Sequence, residues 1–459
     1  MALKIEIVAE RIRQEIEERA LQGFQLDGVQ QEWEQARNSY DALLTLHDRM
    51  KALPMRVDWP YCEPSDLESI RQERASRSDL PFFLAENEIH QKIYGGWLGR
   101  IAGCILGKPL EMGMNAEQIR SYLQGANAYP LDDFVPALSR NEKPLRRDCV
   151  PSMRGYVHYA QEDDDLNYMC LAVKLLEKHG PDFTTLDVGM NWLNSIPFLW
   201  TWGPEHTVYL NLAEAVGDHL PKDIDLEAIT GFLNPGVEWI GAQIRTDVYG
   251  YVCPGLPELA AEYAWHDASL THRKTGIYGA MWISAMNAAA FTLLDMEQII
   301  LSGLTQIPAR SRFSEAIHQV IDWYHQDQDW WKTGERIREN FDSYGFAGTI
   351  NNACCVAAAL LYGWGDGSDT SAVQFERAIT TAVQLGYDTD CNGASVGSIM
   401  GVMLGAGALP DKWITPFNDT LKTCVVGFGS VSIRDMARRT YELSRIVRWN
   451  KTLTRPITG

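Results

Sequence analysis

The chain has no apolar run long enough to span a bilayer, which excludes a helical membrane segment within it. It has no C-x-x-C pair. Its nine cysteines are odd in number and irregularly spaced, so neither a zinc-finger nor a dithiol redox motif is present. The adjacent Cys354 and Cys355 lie in an apolar run and read as core. Basic charge is scarce: 41 Lys and Arg face 60 Asp and Glu, for a net charge of −19. A duplex nucleic-acid partner needs a basic face, and an anionic membrane surface needs the same, so both are excluded as partners. A small anionic ligand is not excluded, because a bound cation and local donors can reverse the field inside a pocket. The start, Met1-Ala2-Leu3-Lys4-Ile5-Glu6, runs into alternating charge without the apolar core of a signal peptide. A reducing cytoplasm is the expected compartment. Runs with strand alternation are few.

What is present is an ordinary globular composition, 46% hydrophobic over 459 residues, enough for a large core or two domains. Residues 1–80 read as an N-terminal helical hairpin and linker. Ile5, Val8, Ile12 and Ile16 recur at helical spacing, and a second amphipathic stretch carries Trp33, Tyr40, Leu43, Leu44 and Leu46 and ends near Pro54. The hairpin either caps the body or forms an oligomer contact. A polar linker with Pro54, Pro60 and Pro64 leads to a boundary near Leu80-Pro81. Residues 81–459 read as one all-α domain. Small-residue helices are expected over Ile277–Leu294, Asn351–Tyr362 and Asn392–Leu404, where Ala and Gly allow close helix approach. Between them and the first acidic cluster lies a Trp- and Pro-rich region (Trp192, Trp200, Trp202, Pro204, Trp239, Pro254, Pro257) that reads as long and irregular. Its aromatic rings are either core or a stacking surface for an adenine- or nicotinamide-like ring.

Two acidic clusters stand far apart: Glu162-Asp163-Asp164-Asp165 and Asp388-Thr389-Asp390. Each borders an apolar, Ala- and Gly-rich stretch. Buried carboxylates need positive compensation, and no Lys or Arg lies within either cluster. A hard divalent cation (Mg²⁺, Mn²⁺ or Ca²⁺) is the expected partner, since these prefer oxygen ligands. A solvated loop with a helix N-cap is the plain alternative. Asn351-Asn352 precede a small-residue helix and either cap it, the plainer reading, or reach the pocket.

Gly99, Gly103 and Gly107 recur every four residues along one helix face. Arg100 and Lys108 argue against a membrane-embedded role for that spacing. The face instead lets a backbone or a ligand come close. Gly107 and Pro109 stop the helix and present Glu111 on the loop beyond it, a good place for a catalytic carboxylate. Gly393-Ala394-Ser395-Val396-Gly397 matches G-x-S-x-G, but a serine-hydrolase elbow needs a preceding strand, and here a helix-like stretch precedes it.

Taken in order, these pieces resemble the ADP-ribosylglycohydrolase family. Gly99 to Glu111 is similar to its G-x-x-x-G-D-x-L-G-x-P-x-E, with Cys104 in place of Asp. Glu162-Asp163-Asp164-Asp165 is similar to T-D-D-T, and Gly386 to Ala394 to G-x-D-T-D-T-x-A. Leu270-Thr271-His272 resembles a T-H motif, and Gly241-Ala242-Gln243-Ile244-Arg245 resembles a G-x-x-M-R segment that borders the substrate pocket. The resemblance covers roughly Glu88 to Trp413 and implies an all-α bundle with two Mg²⁺ ions. The implied metal ligands are Glu162, Asp163, Asp164, Asp388, Asp390 and Cys391. Glu162, Asp165 and Cys391 replace threonines, which alters the ligand shell and makes Mn²⁺ a plausible occupant. Glu111 is implied as general acid/base for cleaving a glycosidic bond at C1′ of an ADP-ribosyl group or related riboside. His272 is implied as a substrate contact or as structural. Gln243, Arg245 and Asp247 are candidates for phosphate or ribose contacts, and Arg245 could equally neutralise buried acids. The substrate would be an ADP-ribosylated protein or a small riboside. A catalytically silent relative, structural or ligand-binding, is the alternative, as is a hydrolase of a smaller nucleoside-like riboside.

Overall fold

The computed structural model describes residues 3–75, 80, 83–111, 114–142, 144–218 and 223–454. Among these the chain is predominantly helical, with irregular stretches such as 52–66 and 126–142 between helices. The one sheet of the described residues is an antiparallel ribbon, Thr420–Lys422 against Ser430–Ser432, with Thr420 opposite Ser432. The all-α expectation holds, and no helix of the described residues is long and apolar enough to cross a membrane.

The fold is organised around two helices rich in glycine, Glu86–Gly107 and Thr389–Leu404. They run antiparallel with their backbones in contact. Gly95 faces Gly401, Gly99 faces Gly397, Gly103 faces Gly393, and Gly107 faces the Thr389 carbonyl. A Cβ added at any of these glycines would sit deep inside the opposite backbone. The glycine ladder anticipated in the first helix therefore meets a second ladder of the same spacing. Ser395 lies inside that second helix, fully buried, so the G-x-S-x-G match is a packing pattern and not a nucleophile elbow.

Around this pair stand the expected small-residue helices. Thr275–Ala289 is buried along its whole length, as is Thr349–Trp364 up to Gly363. Neither has a polar face to present to water, as befits central elements wrapped by others. The Trp- and Pro-rich region departs from expectation. It folds largely into short helices, including Thr185–Ser195, Gly203–Asp218, Asp247–Val252 and Pro257–Ala268. Two of its prolines mark helix starts: Pro257 opens one helix and Pro204 lies in the first turn of another, positions where the missing N–H costs nothing.

The N-terminal segment has three helices, Ile5–Leu21, Val29–Ala36 and Tyr40–Lys51. Ser39 breaks the second arm by capping the third helix, accepting from the Ala42 N–H. These helices share a small core of their own, into which the body inserts Leu233. The linker is strapped down by a short helix, Leu67–Glu73, and by Arg71–Glu262 and Arg74–Glu258 ion pairs. The expected boundary at Leu80-Pro81 touches Pro81, which lies outside the described residues.

Candidate functional site

The glycine contact sets the geometry of one end of the molecule. Where the first glycine helix stops, the second starts, and the Thr389 hydroxyl donates to the Gly107 carbonyl at 2.9 Å. Lys108 and Glu111 therefore emerge beside Asp388 and Asp390. The acidic helix, Asp164–His179, begins at the same place. The strand-like segment before it is held by the ribbon: Ala160 N–H donates to Thr420 (2.8 Å), and Lys422 N–H donates to Ala160 (2.9 Å).

The two acidic clusters are thus brought together, and with them the positive charge that neither contains in sequence. Arg100 is fully buried. It pairs with Asp165 at 2.7 Å and Asp247 at 2.9 Å, and donates to the Asp165 and Ile244 carbonyls. Lys108 pairs with Asp163 and donates to the Glu162 carbonyl at 3.2 Å. Arg100 lies on the first glycine helix and Lys108 caps its C-terminal end.

The two helix-starting aspartates use their oxygens differently. Asp163 caps its helix, accepting the Asp165 N–H through Oδ1 at 3.0 Å and Lys108 through Oδ2. Asp388 precedes its helix without capping it, and its buried Oδ1 has no hydrogen-bond partner. The backbone turns it away: Gly386 and Tyr387 both have positive φ (83° and 56°). For a tyrosine that conformation is strained. It is held by the Tyr387 hydroxyl donating to Asp342 (3.1 Å), and by Asn352, whose Oδ1 accepts the Asp388 N–H (3.1 Å) and the Asn392 amide (2.8 Å). Asn352 is thus a positioning residue for the loop and not a cap. Asn351 likewise does not cap: its amide donates to the Gly345 carbonyl at 2.8 Å.

Among the described residues, three groups offer ligand atoms within 4.8 Å of one another: Glu111, Asp388 and Asp390; Asp165, Asp390 and Cys391; and Cys104, Asp163 and Asp165. Only the first is all oxygen. Burial and the neighbouring Asp390, Asp163 and Asp164 charges push the Glu111 carboxyl up to about 10. Burial is also the main cause holding Asp164, Asp165 and Asp388 well above the usual carboxylate range, reinforced by the surrounding acids. Arg100 and Lys108 compensate only part of this charge, and the remaining acids cannot all ionise without a further cation. The hard donors of the first group and the open Asp388 oxygen fit a divalent ion of the Mg²⁺ or Mn²⁺ kind. Glu162 and half-buried Asp164 fall outside the three groups.

The remaining expected residues are buried nearby. Arg245 pairs with Glu205 and Asp267, donates to Thr271 Oγ1 at 2.8 Å, and lies 4.9 Å from the Trp192 ring centroid. Of the two roles open to it in the sequence, the one it fills here is neutralising buried acids. Asp247 is committed to Arg100 and to the Asn287 amide at 3.0 Å. His272 hydrogen-bonds through Nδ1 to Thr271 Oγ1 at 2.7 Å, and burial, with Arg245 and Arg273, lowers its pKa well below the usual value. Gln243 is fully buried with both amide atoms unpartnered. Ile240 and Ile244 pack on Cys391, and Trp239, beside Ile240, is partly exposed. Trp192 is buried, whereas Trp202 is open to solvent.

Arg100, Lys108, Glu205 and Asp267 are the residues to which sequence reasoning gave no role in the site, and Asn352 fills a role other than the expected cap. The matching glycine spacings were a signal for Lys108, because they fix which ends of the two helices coincide and so place it near Asp390; Arg100 meets groups on other elements.

The sequence profile of the ADP-ribosylglycohydrolase family matches residues 85–447. Comparison with solved structures finds 46 similar chains. One, titled an ADP-ribosylglycohydrolase-related protein complex, is 18% identical with a TM-score of 0.47, over 78% of this chain and 99% of that one. No curated protein matches the chain.

Proposed function

The chain belongs to the ADP-ribosylglycohydrolase family, and on that premise we propose that it is a metal-dependent hydrolase of the glycosidic bond at C1′ of an ADP-ribosyl group or a related riboside. The observation that carries this reading is the buried, unpartnered Asp388 oxygen grouped with Asp390 and Glu111. A bound divalent cation would supply a Lewis acid that anchors the vicinal ribose hydroxyls. Asp388 and Asp390 would hold it beside Glu111; of the other ligands the family resemblance implies, Asp163 is already paired with Lys108, and Glu162, Asp164 and Cys391 lie at the same acidic end.

Glu111 is the general acid/base. Burial and the neighbouring acids raise its pKa in the metal-free chain, and a bound cation would lower it again, toward the range in which one carboxyl gives a proton to the leaving group and then serves as base. The resulting carboxylate then takes a proton from the attacking water. The carboxylates around C1′ stabilise the oxocarbenium-like charge of the transition state. His272, held neutral, and Arg245, held by Glu205 and Asp267, support the wall of the site. Trp239 and Trp202 offer ring faces on which a base could stack. The substrate is an ADP-ribosylated protein or a small riboside.

A thermal-shift screen of ADP-ribose, ribose, nucleosides and NAD⁺, each with Mg²⁺, Mn²⁺ or EDTA, identifies the ligand class. The expected result is stabilisation that requires both metal and a riboside. Glu111→Gln should keep that stabilisation and lose about 10²–10⁴-fold in turnover of the ligand so identified. Normal turnover by this variant would remove Glu111 from the acid/base role. Metal binding without turnover of any riboside would select the silent alternative.

A further inference from the structure

The acidic end is not equally open on both sides. On the side of the first cluster the carboxylate oxygens are largely spoken for. Asp163 accepts a backbone N–H through one oxygen and the Lys108 ammonium through the other. Asp165 gives Oδ1 to Arg100, leaving only Oδ2 without a partner. Lys108 is not a loosely placed surface lysine: its side chain is 13% exposed, and its Nζ also donates to the Glu162 carbonyl. It issues from the helix end clamped by the Gly107–Thr389 contact. On the other side, among the described residues, no Lys, Arg or His forms an ion pair with Glu111, Asp388 or Asp390. Asp388 itself is only 6% exposed and keeps Oδ1 free.

From this asymmetry we infer that Lys108 takes the place of one of the two cations expected from the family resemblance, so that the centre of this chain holds a single divalent ion, between Asp388 and Asp390 beside Glu111. The inference rests on the metal-dependent reading above and narrows it. An ammonium seated on Asp163 supplies there the charge an ion would bring, and it repels a dication from the Cys104, Asp163 and Asp165 group. The thiol in that group makes it a poor competitor for a hard ion as well. The other group has only oxygen donors and, among the described residues, no cation paired to it; Lys108 lies near enough to act on Asp390 and Glu111 but is seated on Asp163.

The test is a metal count that does not depend on turnover. The full chain, stripped with EDTA and titrated with Mn²⁺, should take up one ion, with the electron paramagnetic resonance spectrum of an isolated Mn²⁺. Lys108→Met should take up a second ion and show the exchange-coupled spectrum of a neighbouring pair. Lys108→Gln, which keeps a polar side chain, serves as the second variant if Lys108→Met does not fold. Two ions in the unsubstituted chain would overturn the inference and leave the metal-dependent reading standing. One ion in both the unsubstituted chain and the variant would show that Lys108 is not what excludes the second, and would also overturn it. No ion in either would overturn the metal-dependent reading and this inference with it.

Discussion

Asp163 and Asp388 occupy the same local position, the residue before a helix, and a sequence pattern gives both the same role as caps. The difference between them comes from the backbone behind Asp388, where positive φ at Gly386 and Tyr387 and the Asn352 amide hold the side chain off its own helix. Such a residue contributes little as a cap and is available to a ligand. Asp390→Asn, which removes one of the two carboxylates flanking the proposed ion, should abolish the Mn²⁺-dependent rise in Tm while leaving the metal-free Tm unchanged or higher. A Mn²⁺ response equal to that of the unsubstituted chain would contradict it. The raised acids also fix a sign for pH. Glu111 is pushed from an ordinary value near 4.5 up to about 10 in the folded state, so between those values the folded chain binds more protons than the unfolded one. Its stability contribution is present below the lower value and is lost as pH rises toward the upper one. The Tm of the EDTA-treated protein should therefore fall between about pH 5 and 9, while the increment from Mn²⁺ should grow, because the ion displaces those protons. Parallel melts across that range check both slopes.

The helix–helix contact explains how much of the site could be read in advance. Long small-residue helices announce themselves by composition, so the all-α architecture and the approximate places of Thr275–Ala289, Thr349–Trp364 and Thr389–Leu404 were readable from local pattern. The carboxylates were readable as motifs. Their compensation was not, because Arg100 and Lys108 lie 65 and 55 positions from Asp165 and Asp163, and only the packing of the acidic helix beside the first glycine helix brings them together. The Trp- and Pro-rich region misled for the opposite reason: proline signals a break locally, but at a first turn it is compatible with the helix that follows. The ladder itself can be tested. Gly103→Ala drives a methyl group into the Gly393 backbone and should cost about 1–3 kcal/mol, the usual range for overpacking, read as a lowered denaturant midpoint. Gly217 is an exposed helical glycine with nothing within 4 Å of an added Cβ. Gly217→Ala should leave stability unchanged or raise it by about 0.5–1 kcal/mol.

At the scale of the whole molecule, the N-terminal helices are joined to the body by a buried charge network that touches the same Gly236–Arg245 stretch that runs on to the site. Glu18 accepts the Gly236 and Glu238 N–H groups at 3.1 and 2.9 Å, and Arg312 bridges Glu63 and Glu238. Burial and the Glu238 charge push Glu18 up to about 8. Because that value lies above the ordinary one, the favourable contribution of this contact is lost as pH rises through about 8. Amide hydrogen exchange over Ile5–Lys51, corrected for the intrinsic pH effect, should accelerate there while the glycine helices stay protected; equal protection on both sides of that pH would argue against the network. The glycine pairing has one more consequence, and it concerns time. Gly107 and Thr389 lie 282 positions apart, so a very large loop must close before the contact returns any stabilisation. During synthesis, the stretch with Glu111 and Asp163 leaves the ribosome long before the stretch with Asp388 and Asp390. A nascent chain therefore carries half of the acidic end with no partner for its glycine face, and it gains the whole centre only once the second helix docks.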